Sequence, residues 1–199
     1  MTRAVFDDLL AEVRAVHASH KVLQDFCAFP TDLEPQQVEP FHAPCADCLA
    51  QEIRLKTAGL ETLRDAFVRA GPYAKWRETY KGTDIGNDFM RRFGCYCLIG
   101  TGGAFTSQQV WCWVVTMPAH LHYTWHHHPG EELYFVVAGE ARFFCEGKPD
   151  QTLRPGGAPF HGAIVLHAME THDWPVMALV LWRNGFETAP VLTEREILR

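Results

Sequence analysis

From about Phe93 onward the chain breaks into short β-rich runs, and that texture limits what it can fold into. The runs cover 95–99, 109–116, 123–128, 133–138, 141–145, 158–161, 167–171 and 177–182. Gly102-Gly103, Pro118, Gly139-Glu140, Gly147 to Asp150 and Pro155-Gly156-Gly157 separate them, and glycine and proline are the residues that punctuate strands. Short strands with regular turn signals fit a double-sheet barrel or jelly roll.

Residues 1–92 follow a different period. Phe6, Leu9, Leu10 and Val13 recur at the spacing of an amphipathic helix, and Leu60, Leu63 and Phe67 form a second stripe stopped by Gly71-Pro72. Leu49 and Ile53 suggest a third helix, while residues 30–44 are proline-rich and read as a surface loop. The expectation is one structural unit, with a helical N-terminal extension (1–92) packing on a mainly β barrel (93–199). At 199 residues and 47% hydrophobic, the chain is large enough to bury a substantial core.

The chemistry is concentrated in the barrel. Five of the eleven histidines lie between His120 and His128. If 123–128 is a strand, a period of two puts His126 and His128 on one face and His127 on the other. Pro129-Gly130 has turn chemistry, so the expected return strand forms a hairpin that carries Glu132 and Tyr134 beside those histidines. A hairpin covers one side of an ion. A distant ligand is therefore expected from the stretch after Pro155-Gly156-Gly157, where spacing favours His167 over His161 and His172. Imidazoles with a carboxylate make an N/O ligand set for one divalent transition metal; zinc, iron, manganese and nickel all suit it, and geometry decides among them.

His126-x-His128-x3-Glu132-x6-Gly139 resembles the first cupin motif. The stretch from Pro155 to His167 resembles a loosened second motif, with Gly157 where Asp is common and Leu166 where Pro often precedes the histidine. Within cupins, residues 105–185 are similar to the bacterial dimethylsulfoniopropionate (DMSP) lyases of the DddQ-like group. Tyr123, Trp125 to Pro129, Glu132, Tyr134, His167-Ala168-Met169 and Leu181-Trp182 carry that likeness. The resemblance implies a cupin double-stranded β-helix and a carbon–sulfur lyase that splits DMSP into acrylate and dimethyl sulfide. It also implies a metal held by His128, Glu132 and His167, with Tyr134 taking part and His126 less firmly tied. Tyr134 would be the base, and Tyr123 the reserve base or the donor that orients the substrate carboxylate. Trp125, Phe160 and Trp182 are expected, with Tyr123, to line the substrate site, aromatic faces being suited to a sulfonium.

Two other functions fit the same motifs: an iron cupin dioxygenase acting on a small thiol or carboxylate, and a non-catalytic metal-cupin sensor. A formal charge of −6 with scattered Lys and Arg argues against nucleic acid. No apolar run approaches the ~20 residues of a membrane span, and the acids near the N-terminus do not suit a secretory leader. Seven cysteines, an odd number, read as free thiols in the cytoplasm. Cys45-x-x-Cys48 and Cys95-x-Cys97 lack zinc-ribbon spacing. An exposed barrel edge offers a route to a homodimer.

Overall fold

The computed structural model describes residues 2–193, so residues 194–199 of the expected barrel segment lie outside the described residues. The helices are α1 (Thr2–Ser19), α2 (Lys21–Phe26), α3 (Pro44–Gln51), α4 (Glu61–Ala70) and α5 (Asn87–Arg92), with a 3-10 turn at Gly71–Tyr73. The strands are β1 (Glu34–Pro35), β2 (Gly94–Ile99), β3 (Phe105–Thr106), β4 (Trp111–Met117), β5 (His122–His127), β6 (Glu131–Gly139), β7 (Ala141–Cys145), β8 (Gln151–Leu153), β9 (Phe160–His161), β10 (His167–Glu170), β11 (Val176–Arg183) and β12 (Val191–Leu192). They form a seven-stranded sheet in the order β1-β3-β2-β4-β11-β6-β9, facing a five-stranded sheet in the order β12-β5-β10-β7-β8. This is the mainly β cupin architecture that the motifs implied.

The larger sheet is covered on both faces, which explains why β2, β4, β6 and β11 read as nearly continuous apolar runs rather than alternating ones. Tyr96, Leu98, Val114, Phe135 and Leu179 point outward and share a core with Phe6, Leu9 and Val13 of α1 and with Leu63 and Phe67 of α4. Their neighbours Cys95, Cys97, Trp113, Val115, Tyr134, Val136 and Val180 point inward, toward Tyr123, Phe143 and Met169 of the smaller sheet. Tyr96 Oη donates to the Phe67 carbonyl at 2.8 Å, fastening helix to sheet.

The expected hairpin does not form. β5 pairs with β10 and β12, whereas β6 pairs with β11 and β9, so Pro129-Gly130 carries the chain from one sheet to the other. The histidines and Glu132 thus approach each other across the barrel interior, not along one sheet. A second departure lies within β5. His126 pairs with His167 and Tyr123 with Met169, so three steps along β5 match two along β10. This bulge shifts the side-chain phase, and Tyr123 and His126 both face inward while Trp125 faces out.

Among the helices, Ile53 lies beyond α3 and is 91% exposed, so it does not continue the stripe begun by Leu49. Helices α2 and α5 and strands β1, β3, β8 and β12 had no counterpart in the sequence pattern. Truncating Phe67 to Ala should destabilise the protein by about 3–5 kcal/mol. Circular dichroism and tryptophan fluorescence should then report one common unfolding transition at a lower denaturant midpoint; two separate transitions would show that helices and barrel do not fold as a unit.

Candidate metal centre

His128 just after β5, Glu132 on β6 and His167 at the start of β10 are all buried, and each offers one ligand atom within 4.8 Å of the other two. Backbone carbonyls aim the imidazoles. His128 Nδ1 lies 2.9 Å from the Gly130 carbonyl and His167 Nδ1 lies 2.8 Å from the Val165 carbonyl. A carbonyl only accepts, so each Nδ1 carries the proton and each Nε2 presents a lone pair. Both Nε2 atoms are buried without a hydrogen-bond partner. They come within 3.5 and 3.2 Å of Glu132 Oε2, but without the direction a hydrogen bond requires.

Two lone pairs and a carboxylate oxygen that converge in a dry interior repel one another unless a positive charge lies between them. The donor set therefore fits a divalent transition metal, two imidazoles and one carboxylate being a common protein share of such a sphere. Glu132 is braced for that role: Trp182 Nε1 donates to Oε1 at 2.6 Å and His161 Nδ1 donates to Oε2 at 3.1 Å. Burial by itself would raise its pKa. The proximity of His128, and contacts with His161 and His167, more than offset burial and hold the carboxyl well below its usual range.

His126 is buried beside this set, its ring 4.1 Å from that of His167 and its Nδ1 on the Thr124 carbonyl at 2.8 Å, yet it is outside the converging group. Burial, and then the proximity of His167, depress its pKa well below the ordinary value. Tyr134 faces the same interior, with its ring 5.8 Å from His161. Burial and next the Glu132 charge push its hydroxyl pKa well above 10. Tyr123 stacks on His126 with ring centroids 3.9 Å apart, and burial raises its pKa as well, followed by the nearby Tyr80 and Tyr134. Trp182 stacks on His128 at 4.0 Å.

Trp125 and Phe160 are corrections to the expected substrate wall. Trp125 packs outside the barrel with Phe144, Ala168 and Leu166, because alternation from the inward His126 puts it on the same outer face as His127. Phe160 is on the surface beside Phe26, with the Lys148 ammonium over its ring. His127 also points outward, toward Thr193.

Two residues at the site escaped the sequence reading. His161 had been set aside on spacing, yet β9 pairs with β6 in a register that puts it opposite Glu132. A short β run ahead of His167 was the available signal. Tyr80, whose hydroxyl is bonded to that of Tyr123, comes from an irregular stretch before α5 that carries no motif.

A comparison with protein families matches residues 13–178 to the dimethylsulfoniopropionate lyase family. The chain is 50% identical over 195 residues to dimethylsulfoniopropionate lyase DddQ of Ruegeria pomeroyi, covering 98% of this chain and 97% of that one. The crystal structure of that DddQ superposes with a TM-score of 0.95 over 97% of this chain and 99% of the other. A structure from a study of the DMSP lyases RdDddP and RnDddQII superposes with a TM-score of 0.93 at 35% identity, over 98% and 100% of the two chains.

Replacing His161 by Ala should weaken metal affinity about 10–100-fold, as loss of a partner that orients a ligand does. His127→Ala should leave it unchanged. Competition with a chelator checks both, and equal losses would contradict the assignment. The buried histidines also set an acid limit for the metal-free protein. His161, depressed to about 4 by burial and then by His167, stays neutral in the fold where an unfolded histidine is already charged. Stability should fall as pH drops from about 6.5 to about 4, by roughly 1.4 kcal/mol per unit for each such histidine. The contribution of Glu132, present above its unfolded pKa and lost as pH falls, acts in the same direction. Urea midpoints at pH 7 and pH 5 test this, and a midpoint that does not drop at pH 5 would refute it.

Proposed function

The chain belongs to the dimethylsulfoniopropionate lyase family, and on that premise we propose that it cleaves DMSP to acrylate and dimethyl sulfide by β-elimination at the His128–Glu132–His167 centre. It is a carbon–sulfur lyase. The observation that carries the mechanistic reading is the buried convergence of His128 Nε2, His167 Nε2 and a Glu132 oxygen, Glu132 also lining a chamber with Tyr123 and Tyr134.

The substrate has a carboxylate, an acidic α-hydrogen and a β-sulfonium that leaves as a neutral thioether. A bound divalent metal would polarise the carboxylate, stabilise enolate character at the α-carbon and favour phenolate in a neighbouring tyrosine. Tyr134 is the base in this reading: it accepts the α-proton while the C–S electrons depart with dimethyl sulfide. The same burial that keeps its proton on restricts that activation to a site whose charge is complete. Tyr123, tethered through its hydroxyl to Tyr80, orients the carboxylate. Phe93, Trp113 and Trp182 supply the apolar wall for the methyl groups of the sulfonium. The free thiols of all seven cysteines suit a reducing cytoplasm.

Headspace dimethyl sulfide and acrylate, measured from metal-loaded protein given DMSP, test the reaction. Both should form in equal amounts and equally well without oxygen; failure to form either sinks the reading. Tyr134→Phe should keep its metal and lose about 10²–10⁴-fold in turnover. Near-normal acrylate release by that variant would remove Tyr134 from the role of base.

A further inference from the structure

The inner chamber adjoins a larger outer cavity of about 690 Å³. Five residues line both spaces: Arg77, Thr79, Trp113, Trp182 and Pro190. They form a neck, and its one formal charge is the Arg77 guanidinium. That group lies over the Trp113 ring at 4.4 Å, and among the described residues no carboxylate pairs with it. Glu78, the nearest acid in sequence, is instead tied to Lys81 at 2.9 Å. The arginine is not a loosely placed surface cation, since its backbone N–H donates to the Cys95 carbonyl of β2 at 2.9 Å and the preceding Trp76 bridges to Tyr96.

We infer that Arg77 is a carboxylate-recognition site at the neck, which captures the anionic end of a small zwitterion in the outer cavity and delivers it to the chamber. The inference rests on the reading of the protein as a DMSP lyase for the identity of that zwitterion. A planar guanidinium held against an indole keeps its outward N–H edges available for a carboxylate, and this fork geometry selects carboxylate over other anions of similar charge. Its positive charge also disfavours entry of the sulfonium first. The neck therefore sorts the two ends of the substrate before either reaches His128 and His167. Arg77 acts on capture and orientation; it is not assigned to the bond-breaking step.

Direct titration of the metal-loaded protein with two half-substrates separates this from a structural role. Propionate carries the carboxylate without the sulfonium, and trimethylsulfonium carries the sulfonium without the carboxylate. Arg77→Gln should weaken propionate binding about tenfold and leave trimethylsulfonium binding unchanged or tighter, whereas Arg77→Lys should recover part of the loss, because it keeps the charge but not the fork. In turnover, KM for DMSP should rise by a similar factor with kcat within about twofold of the parent. Unchanged propionate binding in Arg77→Gln, equal weakening of both half-substrates, or a fall in kcat alone would overturn the proposal. Wild-type protein that binds propionate but releases no dimethyl sulfide would overturn the lyase reading, while the titrations would still decide the role of Arg77.

Discussion

A carboxylate withdrawn from water must be compensated, and two aromatic N–H donors compensate Glu132 only in part. Trp182 and His161 donate to it, while His128 and His167 turn lone pairs toward it. An isolated buried carboxylate would take a proton, since burial penalises the charged form. Here it is held ionised, and two imidazoles that cannot satisfy it by hydrogen bonding face it across a gap. A cation between them would satisfy the lone pairs and the carboxylate together, so these three residues could hold a metal ion.

The fold exists to make that convergence possible. No single strand pair could surround the ion, and the crossing at Pro129-Gly130 places Glu132 in one sheet and the histidines in the other. The β5 bulge adds Tyr123 to the same interior as His126. Carbonyl contacts at Nδ1 then fix His126, His128 and His167 as one tautomer, which removes the rotational freedom that would otherwise weaken a site built from long side chains. Helices α1 and α4, packed on the outer face of the larger sheet, stabilise the wall, while Phe89 of α5 packs against Tyr123 at the site.

How much of this was legible follows from the range of each interaction. His128, Glu132, Tyr134 and the barrel strands were readable because period and motif spacing are local properties. The predicted hairpin failed because turn chemistry specifies that the chain bends, not which strand it pairs with next. Trp125 was misplaced although alternation from His126 already turns it outward, whereas the inward turn of Tyr123 depends on an extra residue in β5 of which the pattern Tyr-Thr-Trp-His carries no mark. Phe160 and His161 exchanged importance for a related reason: which of two neighbours faces inward depends on the register of β9 against β6. Tyr80 and Arg77 come from the irregular segment that closes the barrel mouth, where position is decided by tertiary packing alone.

Chemically, the result is a chamber in which burial holds Tyr123 and Tyr134 protonated and keeps His126 and His161 neutral, adjoining an outer cavity with which it shares Arg77. Anomalous diffraction from crystals of the metal-loaded protein tests the central claim most directly. A single anomalous peak should lie about 2.0–2.2 Å from His128 Nε2, His167 Nε2 and a Glu132 oxygen. A peak elsewhere, such as beside Cys45 and Cys48, with none between these three residues, would contradict it.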